Sequence, residues 1–158
     1  MRKNRFLIFC LLLLLILNSC GFQLRKPLDL DYQSYAIIGD STGLSELIHK
    51  QFSFANIKEN NQGSAELIIE IMNNNFEKRI LSLAGRGQVG EFELIQTVEY
   101  RLKMDGQWSE PRRLEAIREY TYDPSLYNAA RAEEALLKDS MIEQLSRSLL
   151  TEINNLGK

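Results

Sequence analysis

The alternation of apolar and polar positions is most regular between Phe92 and Met104. Phe92, Leu94, Val98, Tyr100, Leu102 and Met104 share one parity, with Gln96 its only polar member, while Glu91, Glu93, Thr97, Glu99, Arg101 and Lys103 hold the other. A strand turns successive side chains to opposite faces, so this segment reads as a long strand with one buried face. Asp105-Gly106 follows as a hairpin turn. A further strand is predicted around 114–122, with Pro111 near its start, where proline is tolerated. Upstream, SYAIIG (34–39) reads as a brief buried strand closed by Gly39. The stretch 65–84 alternates at Leu67, Ile69 and Ile71, crosses a polar patch at Asn73–Lys78 and recovers at Ile80-Leu81. Its pattern leaves that patch open between strand and loop.

Two other segments carry the helical period. Leu44, Leu47, Ile48, Phe52 and Ala55 make one apolar face, with Ser41 or Thr42 as a capping residue and Asn60-Asn61-Gln62-Gly63 as the break. Asp123-Pro124 is a helix entry, a capping residue followed by proline. The helix it opens runs to about Ile153, with Leu137, Met141, Leu145 and Leu149 as a stripe flanked by Ile142 and Ile153. The order is β-α-β-β-β-α. A mainly antiparallel four-stranded sheet with two helices packed on one face buries both apolar sets, so the expected fold class is an α+β sandwich.

The N-terminus has a different character. Arg2, Lys3 and Arg5 precede an apolar run from Phe6 to Leu17, shorter than the roughly 20 residues that a membrane span needs. A basic start and a short apolar core describe a secretory signal peptide. Leu17-Asn18-Ser19-Cys20 resembles a bacterial lipobox, in which the cysteine is diacylated, the chain is cut before it and the new amine is acylated. The expected organisation is a removed signal peptide (1–19), a lipidated tether (20–33) and one α+β domain (34–158), with Cys20 as the lipid attachment site. Several acyl chains hold a protein stably on a membrane. Gly21 stands where an Asp would suggest inner-membrane retention, so delivery to the outer membrane is expected.

This organisation also bounds the chemistry. Cys10 leaves with the signal and Cys20 carries lipid, so the domain has no cysteine for a disulfide, a thiol nucleophile or a metal site. Losing the three basic residues of the leader takes the net charge from −2 to −5, which gives no footprint for nucleic acid.

GRGQVG (85–90) matches the dinucleotide-binding glycine pattern, but that motif needs a helix after it. The alternating EFELIQTVEYRLKM follows instead, so the segment reads as a glycine turn between two strands. His49, the only histidine, is expected on the exposed side of the first helix. Glu91, Glu93, Glu99, Glu115 and Glu119 read as exposed sheet-face residues, and Glu133 and Glu134 as ordinary first-turn helix residues, favourable near the positive dipole end. No nucleophile–base set or metal-ligand cluster can be assembled, so neither catalytic residues, a metal nor a cofactor is expected, and the chain is not read as an enzyme. Arg101, Lys103, Arg112, Arg113, Arg118 and Arg147 read as members of a mixed-charge surface. Arg86, in the glycine turn, and Lys138, on the last helix, stand out in view of a resemblance.

CGFQLR (20–25) directly after the lipobox, the β-α-β-β-β-α order, the glycine–arginine turn leading into EFEL (91–94) and the ending AEEALLKDSMIEQLSRSLL (132–150) together resemble LptE, the LPS-assembly lipoprotein family. The resemblance implies a lipid-anchored plug of the outer-membrane β-barrel LptD, on the periplasmic side and in the barrel lumen, that helps assemble lipopolysaccharide at the cell surface. It also implies direct contact with lipopolysaccharide through basic residues, Arg86 in the turn and Lys138 on the helix. The alternative is a stand-alone outer-membrane lipoprotein that binds another envelope ligand.

Overall fold

The structure, a computed structural model, describes residues 30, 32–39 and 43–157. Residues 1–29, with the predicted signal peptide and Cys20, lie outside the described residues, as do Ser41 and Thr42. The elements are β1 (Ser34–Gly39), α1 (Leu44–Phe54), β2 (Lys58–Glu59), β3 (Leu67–Leu83), β4 (Val89–Met104), β5 (Gln107–Trp108), β6 (Arg112–Thr121) and α2 (Tyr127–Leu156). The α+β class and the two helices agree with the sequence reading. The strand count does not: the sheet has six strands rather than four, ordered β2-β1-β3-β4-β5 with β6 also on β4. The two additions are two-residue strands, too short to leave a periodic signature.

Strand direction follows from the connections. Pairs β3–β4, β4–β5 and β4–β6 are antiparallel, whereas β1 runs parallel to both β2 and β3. A parallel pair needs a long crossover, and α1 provides the one between β1 and β3. Asp105 and Gly106 take positive φ (51° and 78°), the conformation of a two-residue hairpin turn that matches strand twist. Opposite the turn Met104 pairs with Gln107.

The helix ends explain where each helix stops. Gly43, not Ser41 or Thr42, is the N-cap residue of α1, and no side chain caps it. At the other end Asn56 adopts the left-handed conformation (φ 59°). Ile57 N–H donates to the Phe52 carbonyl at 2.9 Å and Asn56 N–H to Ser53 at 3.1 Å. These two bonds are the Schellman closure, and burial of Ile57 beside Phe52 completes it. Ahead of α2, the Asp123 carboxylate accepts from the Ser125 backbone at 2.8 Å and caps a short 3-10 turn, Pro124–Leu126. The predicted entry is therefore used, one turn before the α-helix begins.

The 17-residue β3 settles the polar patch as strand. Its pairing with β4 shifts register between Ile71 and Asn73. The bulge places an extra residue at Met72, so the side chains facing the helices change from odd (Leu67, Ile69, Ile71) to even positions (Asn74, Phe76, Lys78, Ile80). The first three are buried, and Met72 is half-exposed. Beyond Ile71 the outer edge of β3 has no strand partner among the described residues. Asn73, Glu77, Lys78 and Arg79, together with the bulge, are the features that discourage unwanted pairing there.

One apolar core lies between the helices and the sheet. Leu44, Ile48 and Phe52 of α1 and Met141, Leu145, Leu149 and Ile153 of α2 meet Leu67, Ile69, Leu94, Val98, Tyr100 and Leu102. Each of these is at most 1 % exposed. Leu30 and Tyr32, within the stretch read as tether, also pack against this core. The Gln33 backbone N–H donates to Glu66 Oε2 at 2.7 Å.

Candidate functional site

Cationic and aromatic side chains converge where the distal half of β3 meets the first half of α2. Past the bulge, Phe76 and Lys78 point to the helix side, opposite Gln96 and Leu94 of β4. Phe92 of β4 pairs in register with Tyr120 of β6, their rings 5.7 Å apart. Tyr122 adds an edge contact to Phe92 at 5.2 Å. Glu134 and Lys138, four residues apart on α2, lie over this floor.

Glu134 binds all its neighbours at once. Lys78 Nζ donates to Oε2 at 2.7 Å, Lys138 Nζ to Oε1 at 2.8 Å, and the Tyr120 hydroxyl to Oε2 at 2.9 Å. Each ammonium also sits on a ring, Lys78 at 3.9 Å from the Phe92 centroid and Lys138 at 4.2 Å from Phe76. Such cation–π contacts contribute on the order of 0.5–1 kcal/mol each at exposed positions. Burial works against the ionised carboxylate, but hydrogen bonds from Lys138, Lys78 and Tyr120 outweigh it and hold Glu134 down at about 2. The Tyr120 hydroxyl is pushed up, first by burial and then by its bond to Glu134.

The sign of the linkage follows directly. A carboxylate whose folded pKa is depressed contributes its stability above the unfolded value and loses it as pH falls through the folded one. For Glu134 the window runs from about 4.5 down to about 2, and the contribution is about 1–2 kcal/mol after solvent screening. Glu134→Gln is thus expected to be less stable than the parent at pH 7, with the gap closing toward pH 2. Urea unfolding across that range measures it, and a gap that stayed constant would contradict this role.

The cluster corrects the reading of Glu134 as an ordinary first-turn residue: α2 begins at Tyr127, so Glu133 and Glu134 lie beyond its first turn. The Glu134–Lys138 half is local and legible in sequence as an i,i+4 pair, but Lys78 lies 56 positions from Glu134 and carries no such signal. Two other expectations change. His49 is not simply solvated, because its Nδ1 is 2.7 Å from the Tyr35 hydroxyl and 3.7 Å from Glu59. Glu93 is buried and ion-paired with Arg79 rather than exposed.

The remaining basic residues behave as a mixed-charge surface. Arg101 pairs with Glu70 and stacks on Trp108, Arg113 pairs with Glu115, Arg112 with Glu152, and Arg147 with Glu143. Arg118 donates to Gln144 at 2.7 Å, and Lys103 lies 5.9 Å from the Trp108 ring.

GRGQVG forms the expected turn between strands, a 3-10 segment at Gly85–Gly87 with Gly87 at φ 75°. The backbone of Arg86 is at its centre, while its side chain lies outside the described residues. Phe76, beneath Lys138, is separated from this turn by the rest of β3, roughly 25 Å of strand. The backbone of Arg86 and the Lys138 site are therefore well apart along the sheet. Among the described residues no group of three His, Cys, Asp or Glu is placed to hold a metal, and no helix is long and apolar enough to cross a membrane.

The sequence profile of LptE, described as lipopolysaccharide-assembly, matches residues 30–153, covering every strand, α1 and all but the last three residues of α2. The chain belongs to the LptE family. It is 21 % identical to the LPS-assembly lipoprotein LptE of Pectobacterium atrosepticum over 159 aligned positions, covering 97 % of this chain and 86 % of that one. Among solved structures it resembles lipoprotein B from Nitrosomonas europaea, with 26 % identity, a TM-score of 0.73 and coverage of 86 % of this chain and 92 % of the other. The rare lipoprotein B of Shewanella oneidensis shares the fold, with 24 % identity, a TM-score of 0.70 and coverage of 78 % and 95 %. The LptE fold thus carries the lysine–glutamate–lysine cluster of this chain on the face where its longer helix crosses the sheet.

Proposed function

We propose that this chain is the lipoprotein subunit and plug of the outer-membrane lipopolysaccharide translocon. In this reading residues 1–19 are removed, Cys20 carries the lipid, residues from 20 to 33 lead out of the membrane, and the domain that follows sits in the lumen of the LptD barrel. It stabilises the barrel and offers Arg86 and Lys138 to lipopolysaccharide as two separate contacts, without catalysis. The observation that carries the reading is the family match over residues 30–153.

The outer sheet face supports it. It carries the ion pairs Arg101–Glu70, Arg79–Glu93 and Arg113–Glu115, with Arg113 also donating to Thr97. Barrel lumens are polar, and these paired ions enter one without being left uncompensated.

Two experiments test this. C-terminally tagged protein, purified from outer membranes in mild detergent, is expected to bring along a large β-barrel protein in stoichiometric amount. Recovery of the lipoprotein alone, at its full membrane content, would favour a stand-alone lipoprotein that binds another envelope ligand. Arg86→Asp combined with Lys138→Asp is expected to weaken lipopolysaccharide binding roughly tenfold or more without unfolding the domain. Unchanged binding removes these residues from the contact.

A further inference from the structure

Glu134 presents two cations to the two oxygens of a single anion. Lys138 takes Oε1 and Lys78 takes Oε2, so each ammonium has its own carboxylate oxygen. Beside them opens a cleft of about 410 Å³ lined by Lys78, Phe92, Tyr120, Tyr122, Tyr127 and Arg131. Four aromatic rings, two cations and the Glu134 carboxylate line it, a composition suited to a sugar ring bearing an anionic substituent once that carboxylate is displaced. Phosphate is the stronger ligand for two ammoniums, since a monoester carries about −1.5 to −2 charges and three acceptor oxygens against one charge and two oxygens for a carboxylate.

We propose that Glu134 is an internal stand-in for ligand phosphate. In the free protein it neutralises Lys78 and Lys138, and a phosphate monoester on the glycolipid headgroup displaces it, with the attached sugar resting on the aromatic wall. The proposal rests on the lipopolysaccharide reading above and deepens it by adding Lys78 to the binding residues and by giving Glu134 a role opposed to binding. The depressed titration of Glu134 is in keeping with an anion already held at this point. Weakly charged anions cannot compete with the resident carboxylate, which selects for phosphate. The carboxylate also stands ready to take the lysines back, which speeds release of a ligand that has to be passed on.

The test measures binding of the full acylated protein, in mild detergent, to lipid A micelles carrying both phosphates and to the same lipid stripped of phosphate. Glu134→Gln is expected to bind the phosphorylated lipid roughly three- to tenfold tighter and the stripped lipid no differently. Lys78→Gln is expected to bind the phosphorylated lipid more weakly by a similar factor. Phosphate-dependent binding by the parent with no gain in Glu134→Gln would overturn the stand-in while leaving the lipopolysaccharide reading intact. A gain that appeared equally with the stripped lipid would overturn it too. Absence of phosphate-dependent binding by the parent and both variants would overturn the stand-in together with phosphate recognition by Lys138.

Discussion

Phe52→Ala is expected to destabilise the protein by about 3–5 kcal/mol, the range for removing a large aromatic side chain from a packed core. Phe52 is 0 % exposed, and its ring meets that of Tyr35 on β1 with centroids 4.4 Å apart. It is also the residue whose carbonyl closes α1 through Ile57. An isolated helix of the length of α1, 11 residues, is marginal in water, so docking through Leu44, Ile48 and Phe52 is what keeps it formed. Losing that anchor loosens the crossover that lets β1 run parallel to β3. Phe54, two positions on and 72 % exposed, supplies the control: Phe54→Ala is expected to change stability by no more than about 0.5 kcal/mol. Urea unfolding of both variants measures the contrast. Equal losses would mean that α1 does not turn this face to the core.

Gly39→Ala is expected to cost about 3 kcal/mol or more, for a backbone reason rather than a packing one. Gly39 ends β1 at φ 87° and pairs with Ile71 of β3. A Cβ there would lie far inside contact distance of the Ile71 carbonyl oxygen, and a side chain resists that φ in any case. Because the obstacle is backbone, relief requires the β1–β3 pair to separate, next to the bulge that sets the facing of the rest of β3. Gly63→Ala is the counter-case, since no heavy atom lies within 4 Å of a Cβ built there. It is expected to leave stability unchanged or raise it slightly by restricting the unfolded chain. Thermal melts of the two variants separate these effects. A Gly39→Ala protein as stable as the parent would show that β1 does not approach Ile71 as described.

The legible and illegible parts of this molecule differ in how far the determining contacts reach. The alternation from Phe92 to Met104 and the stripe from Leu137 to Ile153 each repeat one local period over many residues, so β4 and α2 could be read directly. Asp105-Gly106 and Asp123-Pro124 are equally local, because their turn and cap depend on neighbouring residues alone. The distal half of β3 was not legible, since a single bulged residue at Met72 moves the facing set from odd to even and breaks any fixed-period pattern. Two-residue strands such as β2 and β5 carry no period at all. In the candidate site the i,i+4 pair Glu134–Lys138 was within reach of sequence. Lys78 and Tyr120 were not, because they arrive on separate strands brought under α2 by the sheet. Glu93 and His49 depart from their sequence patterns for the same reason: each is held by a partner distant along the chain, Arg79 and Tyr35 respectively.

The sequence by itself determined the long strand and the long helix, the turns, the α+β class, the absence of cysteine after Cys20, and the family resemblance, all carried by patterns within one segment or by their order. The tertiary structure alone decided that β1 is parallel, that Asn73–Lys78 is strand, and that Lys78, Lys138 and Tyr120 share one carboxylate. Those outcomes depend on register and crossing between segments tens of residues apart. Short-range periodicity is blind to such relations, and only the closing of the sheet against its helices establishes them.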